Sequence, residues 1–243
     1  MLPDVVICGA PRCGTTSLYS YLRAHPQVRV PDDPRGGDGR LNIDRDPHGL
    51  FDERALPRVL AQSNRPRLLL ILRNPCERLQ SLFRQARDER EELPPDYDFD
   101  TFVGQLIDGS FPRRFGGGLA DQAAALQQGQ YVRFIEPLWR EVPDRVVVVF
   151  AENMARYPRT FMIGVARRLQ LDPTFYDSFA FGVENSSLKL RNRWLNRVAG
   201  RLQGWFLPVA SEDTRRRLDH FYAEDNAALF DLLGVPRVAG WPV

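Results

Sequence analysis

Three short runs of apolar residues stand out along the chain, and each has the length of a buried β-strand. They are Val5–Cys8, Leu68–Leu72 and Val146–Phe150. A continuous apolar run, as opposed to an alternating one, is typical of a strand that is covered on both faces. Because helical patterns lie between the runs, the sequence predicts an α/β fold with a parallel sheet.

The segments between these runs carry the periodicity of amphipathic helices. The first helix is expected to start near Thr15. The next starts at Asn74, which is suited to cap it, with Pro75 at the first helical position. Apolar residues over 131–139 recur at the spacing of one helix face. A last helix is predicted from Ser211 to Leu233.

Irregular segments rich in proline, glycine and acidic residues interrupt this alternation. Long segments of this kind in a compact domain are often functional loops. We therefore expect the regions 31–50 and 91–118 to shape a ligand pocket. The irregular segments are 31–39, 91–100 and 111–118.

Length and composition are those of an ordinary globular protein. The 243 residues fit one domain over 1–243, and hydrophobic residues make up 43% of the chain. A net charge of +2 gives no overall field favouring nucleic acid, so we expect no nucleic-acid partner. Since no run of 18 apolar residues and no signal-peptide pattern occurs, we expect a cytoplasmic protein without a transmembrane segment.

Cysteine and histidine usage gives no indication of a metal site. The three cysteines, Cys8, Cys13 and Cys76, form no CxxC pair, and their odd number argues against a disulfide framework. The three histidines form no HExxH pair. No bound metal is therefore expected.

The turn after the first apolar run carries the most informative chemistry. Gly9 and Gly14 bracket four residues, as in a nucleotide-binding P-loop, but Thr15 stands where the phosphate-binding lysine should be. Arg12 instead places a cation inside the loop. Glycines let the backbone approach an anion, and the following helix start adds positive potential. The loop predicts a site for an anionic cofactor other than ATP; the alternative is a strand–helix turn without a ligand. The candidate binding residues are Pro11, Arg12, Cys13, Gly14, Thr15, Thr16 and Ser17.

A second candidate follows the second apolar run. Arg73 comes directly after it, and Ser81 lies two turns into the next helix, away from that helix's apolar stripe. Ligands of open parallel sheets bind at the carboxyl ends of strands. Arg73 and Ser81 are therefore placed to grip one anion, unless Arg73 pairs with an acid and Ser81 is merely solvated.

Both segments fit recognisable patterns. Residues Gly9–Leu18 read GAPRCGTTSL and fit GxPRxGTTxL, while Arg73–Ser81 read RNPCERLQS and fit RxPxxRxxS. Further along, Gly129-Gln130-Tyr131 opens a helix, and FYAEDNAALFDLLG over Phe221–Gly234 is followed by Trp241. Together these motifs resemble the sulfotransferases that use 3′-phosphoadenosine 5′-phosphosulfate (PAPS), with the later motifs similar to carbohydrate-acting and related bacterial members. The resemblance spans most of the chain and implies a P-loop-like three-layer α/β/α fold with a central parallel sheet.

The resemblance implies roles for these residues. The first loop would bind the 5′-phosphosulfate, with Arg12 in the place often held by a catalytic lysine, where it stabilises charge on the bridging oxygen. Arg73 and Ser81 would hold the 3′-phosphate. Lys189 and Arg191 belong to the best candidate for a basic loop over the cofactor, or else to a solvated helix start. The product would be adenosine 3′,5′-bisphosphate (PAP), and no metal is required.

The residue that takes the acceptor's proton is open. Carbohydrate-type enzymes carry a Lys-Glu pair after the second strand, where this chain has Asp32 and Asp33. Asp33 is the first candidate base, with Asp32, Asp46 and His48 as further ones; each acid is alternatively a turn-forming surface residue. The acceptor would be a hydroxyl or amine of a small molecule, a lipid or a glycan.

Two other functions stay in view at this point. A P-loop kinase-like enzyme would use ATP, and the threonine at the lysine position argues against it. A non-catalytic nucleotide-binding relative would keep the fold without the base, and the altered Asp32-Asp33 region is the reason to consider it.

Overall fold

The computed structural model describes residues 2–31, 41–112, 123–182 and 210–243. The strands in these ranges are β1 (Val5–Ile7), β2 (Val28–Arg29), β3 (Leu41–Arg45), β4 (Arg67–Leu72) and β5 (Val146–Phe150). They are parallel and form one sheet in the order β2-β3-β1-β4-β5.

The centre of the sheet consists of the strands that the apolar runs predicted. β1 lies between β3 and β4, so that Val5 faces Ile43 on one side and Arg67 on the other. All of β1 and all of β4 after Arg67 are buried. The predicted α/β fold with a central parallel sheet is confirmed.

The structure corrects the prediction for region 31–50, because residues 41–45 form β3 and are not irregular. This strand reads LNIDR, in which polar residues alternate with apolar ones and only Ile43 is buried. Its partner β2 has two residues. A strand with one buried side chain lacks the continuous apolar run on which the prediction depended.

The helices of the described ranges are α1 (Thr15–Ala24), α2 (Ala55–Leu60), α3 (Pro75–Arg84), α4 (Phe99–Ile107), α5 (Val132–Glu141), α6 (Ala151–Arg156), α7 (Pro158–Leu169) and α8 (Glu212–Leu233). Their starts follow the predicted signals. α1 begins at Thr15, and the Asn74 side chain caps α3 by accepting from the backbone N–H groups of Cys76 (2.9 Å) and Glu77 (3.3 Å). Ser211 caps α8. None of these helices is both long and apolar enough to cross a membrane.

The chain divides into two compact units. The first comprises Met1–Arg73 with Pro137–Asn185, and the second Asn74–Glu136 with Ser186–Val243. The first unit contains the whole sheet with α1, α2, α6 and α7. The second contains α3, α4 and α8. The single domain expected over residues 1–243 stays a prediction.

In the second unit, the Gly129-Gln130-Tyr131 motif is part of the core. A Cβ atom on Gly129 would lie 2.6 Å from the Tyr222 ring, which is fully buried and donates its hydroxyl hydrogen to the Leu126 carbonyl at 2.9 Å. Tyr131 is buried, with its ring centroid 5.9 Å from that of Trp241. The motif is explained by packing, since only glycine leaves room for the tyrosine ring.

The face of α3 that carries Arg78 is also buried. Arg78 has no exposed surface; its Nη1 donates to the Ala125 carbonyl at 3.0 Å, and its Nη2 donates to Gln128 Oε1 at 2.8 Å. A buried charge is tolerated only where hydrogen bonds replace the water that it loses. Arg78 therefore ties α3 to the segment that precedes Gly129.

Replacement of Gly129 by alanine is expected to destabilise the protein by about 1–3 kcal/mol, because overpacking a closed core displaces the Tyr222 ring. Urea unfolding followed by circular dichroism measures this. Gly104→Ala is the matched control in the same unit: it lies inside α4, and its added methyl would approach Arg217 at an ordinary 3.8 Å. The control should be neutral or stabilising by up to about 1 kcal/mol. Equal unfolding free energies for the two variants would contradict the packing explanation.

Candidate active site

The first residues of the loop that follows β1 are hydrogen-bonded to the neighbouring strand β4. The Ala10 N–H donates to the Ile71 carbonyl at 2.8 Å, and the Ile71 N–H donates to the Gly9 carbonyl at 2.9 Å. Three residues of the loop have left-handed backbones: Gly9 (φ 98°), Arg12 (φ 67°) and Gly14 (φ 91°). The loop therefore reverses direction within a few residues at the carboxyl edge of the sheet, where ligands of such folds bind.

The start of α1 is electrostatically suited to an anion. Gly14 is its N-cap, no side chain in the described part of the chain caps it, and its first turn contains no acidic residue. α8 differs, since Ser211 caps it and Glu212 and Asp213 lie in its first turn. The positive end of the α1 dipole and its first N–H groups are thus not neutralised by a side chain within their own turn.

Both loop glycines are required by their surroundings. A Cβ on Gly9 would lie 2.8 Å from the Pro47 carbonyl oxygen, and one on Gly14 would lie 2.9 Å from Cε of Met154 in α6. Their positive φ values add strain for any other residue. Close packing against Pro47 and Met154, together with these backbone angles, therefore explains both glycines.

The predicted loop residues divide by exposure. Cys13 and Thr15 are buried. Arg12, Thr16 and Ser17 are partly exposed. Arg12 also holds a conformation that is uncommon outside glycine, and such strain clusters at functional sites.

The first residue after β1 is not a reactive group. Burial, with smaller contributions from the negative charges of Asp46 and Asp44, raises the pKa of the Cys8 thiol to about 12. A thiol with that pKa stays protonated at neutral pH and is a poor nucleophile. Cys8 therefore packs under the loop and takes no part in its chemistry.

Arg45 is a residue beside the loop that sequence reasoning missed. It ends β3 opposite Ile7 of β1, and its Nη1 donates to Thr16 Oγ1 at 3.1 Å. Its guanidinium carbon lies 5.0 Å from the centroid of the Tyr19 ring. The signal that would have found it is a cation at the end of an alternating strand, which is visible only once LNIDR is recognised as a strand adjacent to β1.

The turn after β3 brings two of the four candidate bases beside the loop. The Asp46 N–H donates to the Ile7 carbonyl at 3.0 Å, and the Pro47 carbonyl lies against Gly9. The carboxylate of Asp46 accepts from the His48 N–H at 3.2 Å, so it supports the turn itself, whereas the His48 side chain is exposed. Asp32 and Asp33 lie outside the described residues.

The structure describes two of the four remaining predicted site residues, Arg73 and Ser81. Arg73 directly follows β4 in the first unit. Ser81 lies in α3 of the second unit and is 4% exposed, so the alternative of a merely solvated serine is wrong. Lys189 and Arg191 lie outside the described residues.

Comparisons with known proteins agree on one class. No protein-family model matches the chain. Mouse heparan sulfate glucosamine 3-O-sulfotransferase 3A1 is 24% identical over 266 aligned residues, which cover 99% of this chain. Nearly the whole chain is thus similar in sequence to a sulfotransferase. It spans 64% of the length of that curated relative.

Solved structures of sulfotransferases share the fold of this chain. The enzyme from Alicyclobacillus acidocaldarius superposes with a TM-score of 0.68 at 20% identity, covering 96% of both chains. Mouse sulfotransferase SULT7A1, solved in complex with PAP, gives a TM-score of 0.59 at 15% identity over 96% of this chain and 88% of its own. The P-loop-like α/β fold is thereby confirmed.

Alanine substitutions at three glycines of the first unit, Gly9, Gly14 and Gly164, are expected to rank in their cost by how far the neighbouring atoms can move. Gly9→Ala should destabilise most, because a backbone carbonyl cannot retreat. Gly14→Ala should cost about 1–2 kcal/mol from its left-handed backbone, since the end of Met154 can shift. Gly164→Ala in α7, which would meet nothing within 4 Å, is the control and should be neutral or stabilising. Chemical denaturation measures the order, and a Gly9→Ala variant as stable as the control would contradict it.

Proposed function

We propose that this protein transfers a sulfuryl group from PAPS to a hydroxyl or amine of an acceptor and releases PAP. The loop after β1 carries the proposal, because it combines an anion-binding helix start with Arg12 inside the loop and threonine at the lysine position of ATP-binding loops. Similarity to a 3-O-sulfotransferase over nearly the whole chain supports the same activity.

The donor would be held through charges and backbone donors of this chain. The N–H groups of residues 12–16 and the Thr16 hydroxyl would bind the 5′-phosphosulfate, with Arg45 as a second positive charge beside them. Arg73 and Ser81 are assigned to the 3′-phosphate by their motif alone, and Lys189 and Arg191 to a closing loop on the same basis. The left-handed backbones at Gly9, Arg12 and Gly14 would help to curve the loop so that successive N–H groups turn toward one anion.

The reaction would depend on positioning and on charge stabilisation. PAPS supplies an activated sulfuryl group. Arg12 would stabilise the negative charge left on the bridging oxygen as its bond to sulfur breaks and that oxygen keeps the electron pair. A base would accept the acceptor's proton while the acceptor atom forms the new bond to sulfur.

We propose His48 as that base. Its side chain is exposed on the turn that contacts the loop, and a neutral imidazole can accept a proton. The Asp46 carboxylate is a weaker candidate, because it already accepts the His48 N–H. Asp33, the first candidate from the sequence, and Asp32 are the alternatives for the test.

The acceptor is proposed to be a saccharide. A relative that aligns with nearly this whole chain is named a heparan sulfate glucosamine 3-O-sulfotransferase. A small-molecule hydroxyl or amine is the alternative, and no metal, nucleic acid or membrane segment enters the proposed reaction.

Nucleotide binding is expected to depend on the 3′-phosphate. PAP should raise the melting temperature at micromolar concentrations, whereas 5′-AMP should require concentrations at least about tenfold higher, because it lacks one of two charge-assisted phosphate contacts. Thermal-shift titration with both ligands, and with ATP and magnesium as a third, measures this. Equal weak responses to PAP and 5′-AMP, or a response to Mg-ATP alone, would overturn the proposed function.

Removal of the base is expected to separate catalysis from donor binding. His48→Ala should lower kcat for transfer of labelled sulfate to heparan sulfate, or to a small phenol, by about 10²–10⁴-fold with PAP affinity unchanged. Arg12→Ala is the comparison, since it should weaken PAP binding as well. Asp46→Asn and Asp33→Asn are measured alongside. Full activity of His48→Ala together with an inactive Asp33→Asn would move the role to Asp33.

A further inference from the structure

Three side chains form a connected group on one flank of the loop. Thr16 and Tyr19 are three residues apart in α1, and Arg45 reaches them from the end of β3. Arg45 Nη1 donates to Thr16 Oγ1 at 3.1 Å, while its guanidinium lies over the Tyr19 ring at 5.0 Å. Residues at this spacing lie on the same side of a helix, so one guanidinium can contact both.

We infer that Tyr19 is a positioning residue for the donor: its ring holds Arg45 so that Arg45 orients the Thr16 hydroxyl toward the bound anion. This inference rests on the proposed function, because it takes the anion to be the donor's phosphosulfate. It assigns a role to a residue outside the loop motif.

The orientation follows from the hydrogen-bonding capacity of a hydroxyl. A threonine hydroxyl accepts through its lone pairs and donates one hydrogen, whereas a guanidinium only donates. With Arg45 donating to Oγ1, the hydrogen of Thr16 is left to point at a different acceptor. The cation also polarises the hydroxyl, which strengthens the bond it donates to an anion.

Arg45 needs support to act in this way. It is exposed at the end of its strand, and a long exposed arginine loses rotamer entropy when it is fixed in one position. The nearest acid along the strand, Asp44, accepts the Arg45 backbone N–H at 2.7 Å. A cation–π contact within about 6 Å of a ring favours one position of the guanidinium and offsets part of that entropy.

The test compares PAP affinities by isothermal titration calorimetry on the full chain. Tyr19→Leu removes the ring's π-face but keeps an apolar, helix-favouring side chain, and it should weaken PAP binding about two- to fivefold, the range of an exposed cation–π contact. Tyr19→Phe keeps the ring and should bind within about 1.5-fold of the unaltered protein, because the benzene face is retained. Tyr19→Met replaces Tyr19→Leu if the leucine variant melts at a lower temperature.

The decisive measurement is made in an Arg45→Gln background. If Tyr19 acts through Arg45, Tyr19→Leu should cause no further loss there, since coupled residues are non-additive in a double-mutant cycle. An equal loss in both backgrounds would show that Tyr19 supports only the helix, and it would overturn the inference. Unchanged affinity of Tyr19→Leu in the native background would do the same.

The same titrations separate the inference from the function on which it rests. An unaltered protein that fails to bind PAP overturns both. An unaltered protein that binds PAP, with Tyr19 and Arg45 uncoupled, leaves the proposed function standing and overturns the inference alone.

Discussion

The continuation of β1 onto β4 beyond the end of the strand is the interaction on which the candidate site depends. The paired bonds of Gly9 and Ala10 with Ile71 extend the sheet into the loop, so the first residues of the loop are held beside the buried strand β4. On the other side of β1, the Asp46 N–H bond to Ile7 brings the turn after β3 to the same edge. Parallel pairing in one register thus aligns the two segments that carry the proposed chemistry.

The sequence allowed the centre of this arrangement to be predicted, because burial on both faces leaves an uninterrupted apolar run. The helix starts were equally readable, since Asn74 and Ser211 show their capping role in their residue type. β3 was missed because it buries only one side chain and therefore has no continuous apolar run. Residues 41–45 form a strand because they pair with β1. Arg45 was missed with β3. It contacts Thr16 only because the register of the sheet places it opposite Ile7, and that register cannot be read from the sequence.

Some motif residues of this chain support the fold and others are candidates to face a ligand, and sequence similarity alone does not distinguish the two. Arg78 lies in the same motif as Arg73 and Ser81, yet its guanidinium is fully buried on a carbonyl and an amide oxygen. Gly129 and Tyr131 pack around Tyr222 and Trp241. The first loop differs, because it leads into a helix start that no acid of its own first turn neutralises. Resemblance between sequences therefore transfers an architecture, and the contacts of each residue indicate whether it supports that architecture or faces a ligand.

The left-handed backbone of Arg12 limits which cations could replace it during evolution. At φ 67° the side chain must leave Cα without branching at Cβ, because a branched residue would clash with its own peptide groups. Arginine and lysine both satisfy that geometry with long unbranched stems, and asparagine tolerates it at the cost of the charge. The local backbone thus restricts sequence variation at this position in addition to the charge requirement, and among the permanently charged residues lysine satisfies both.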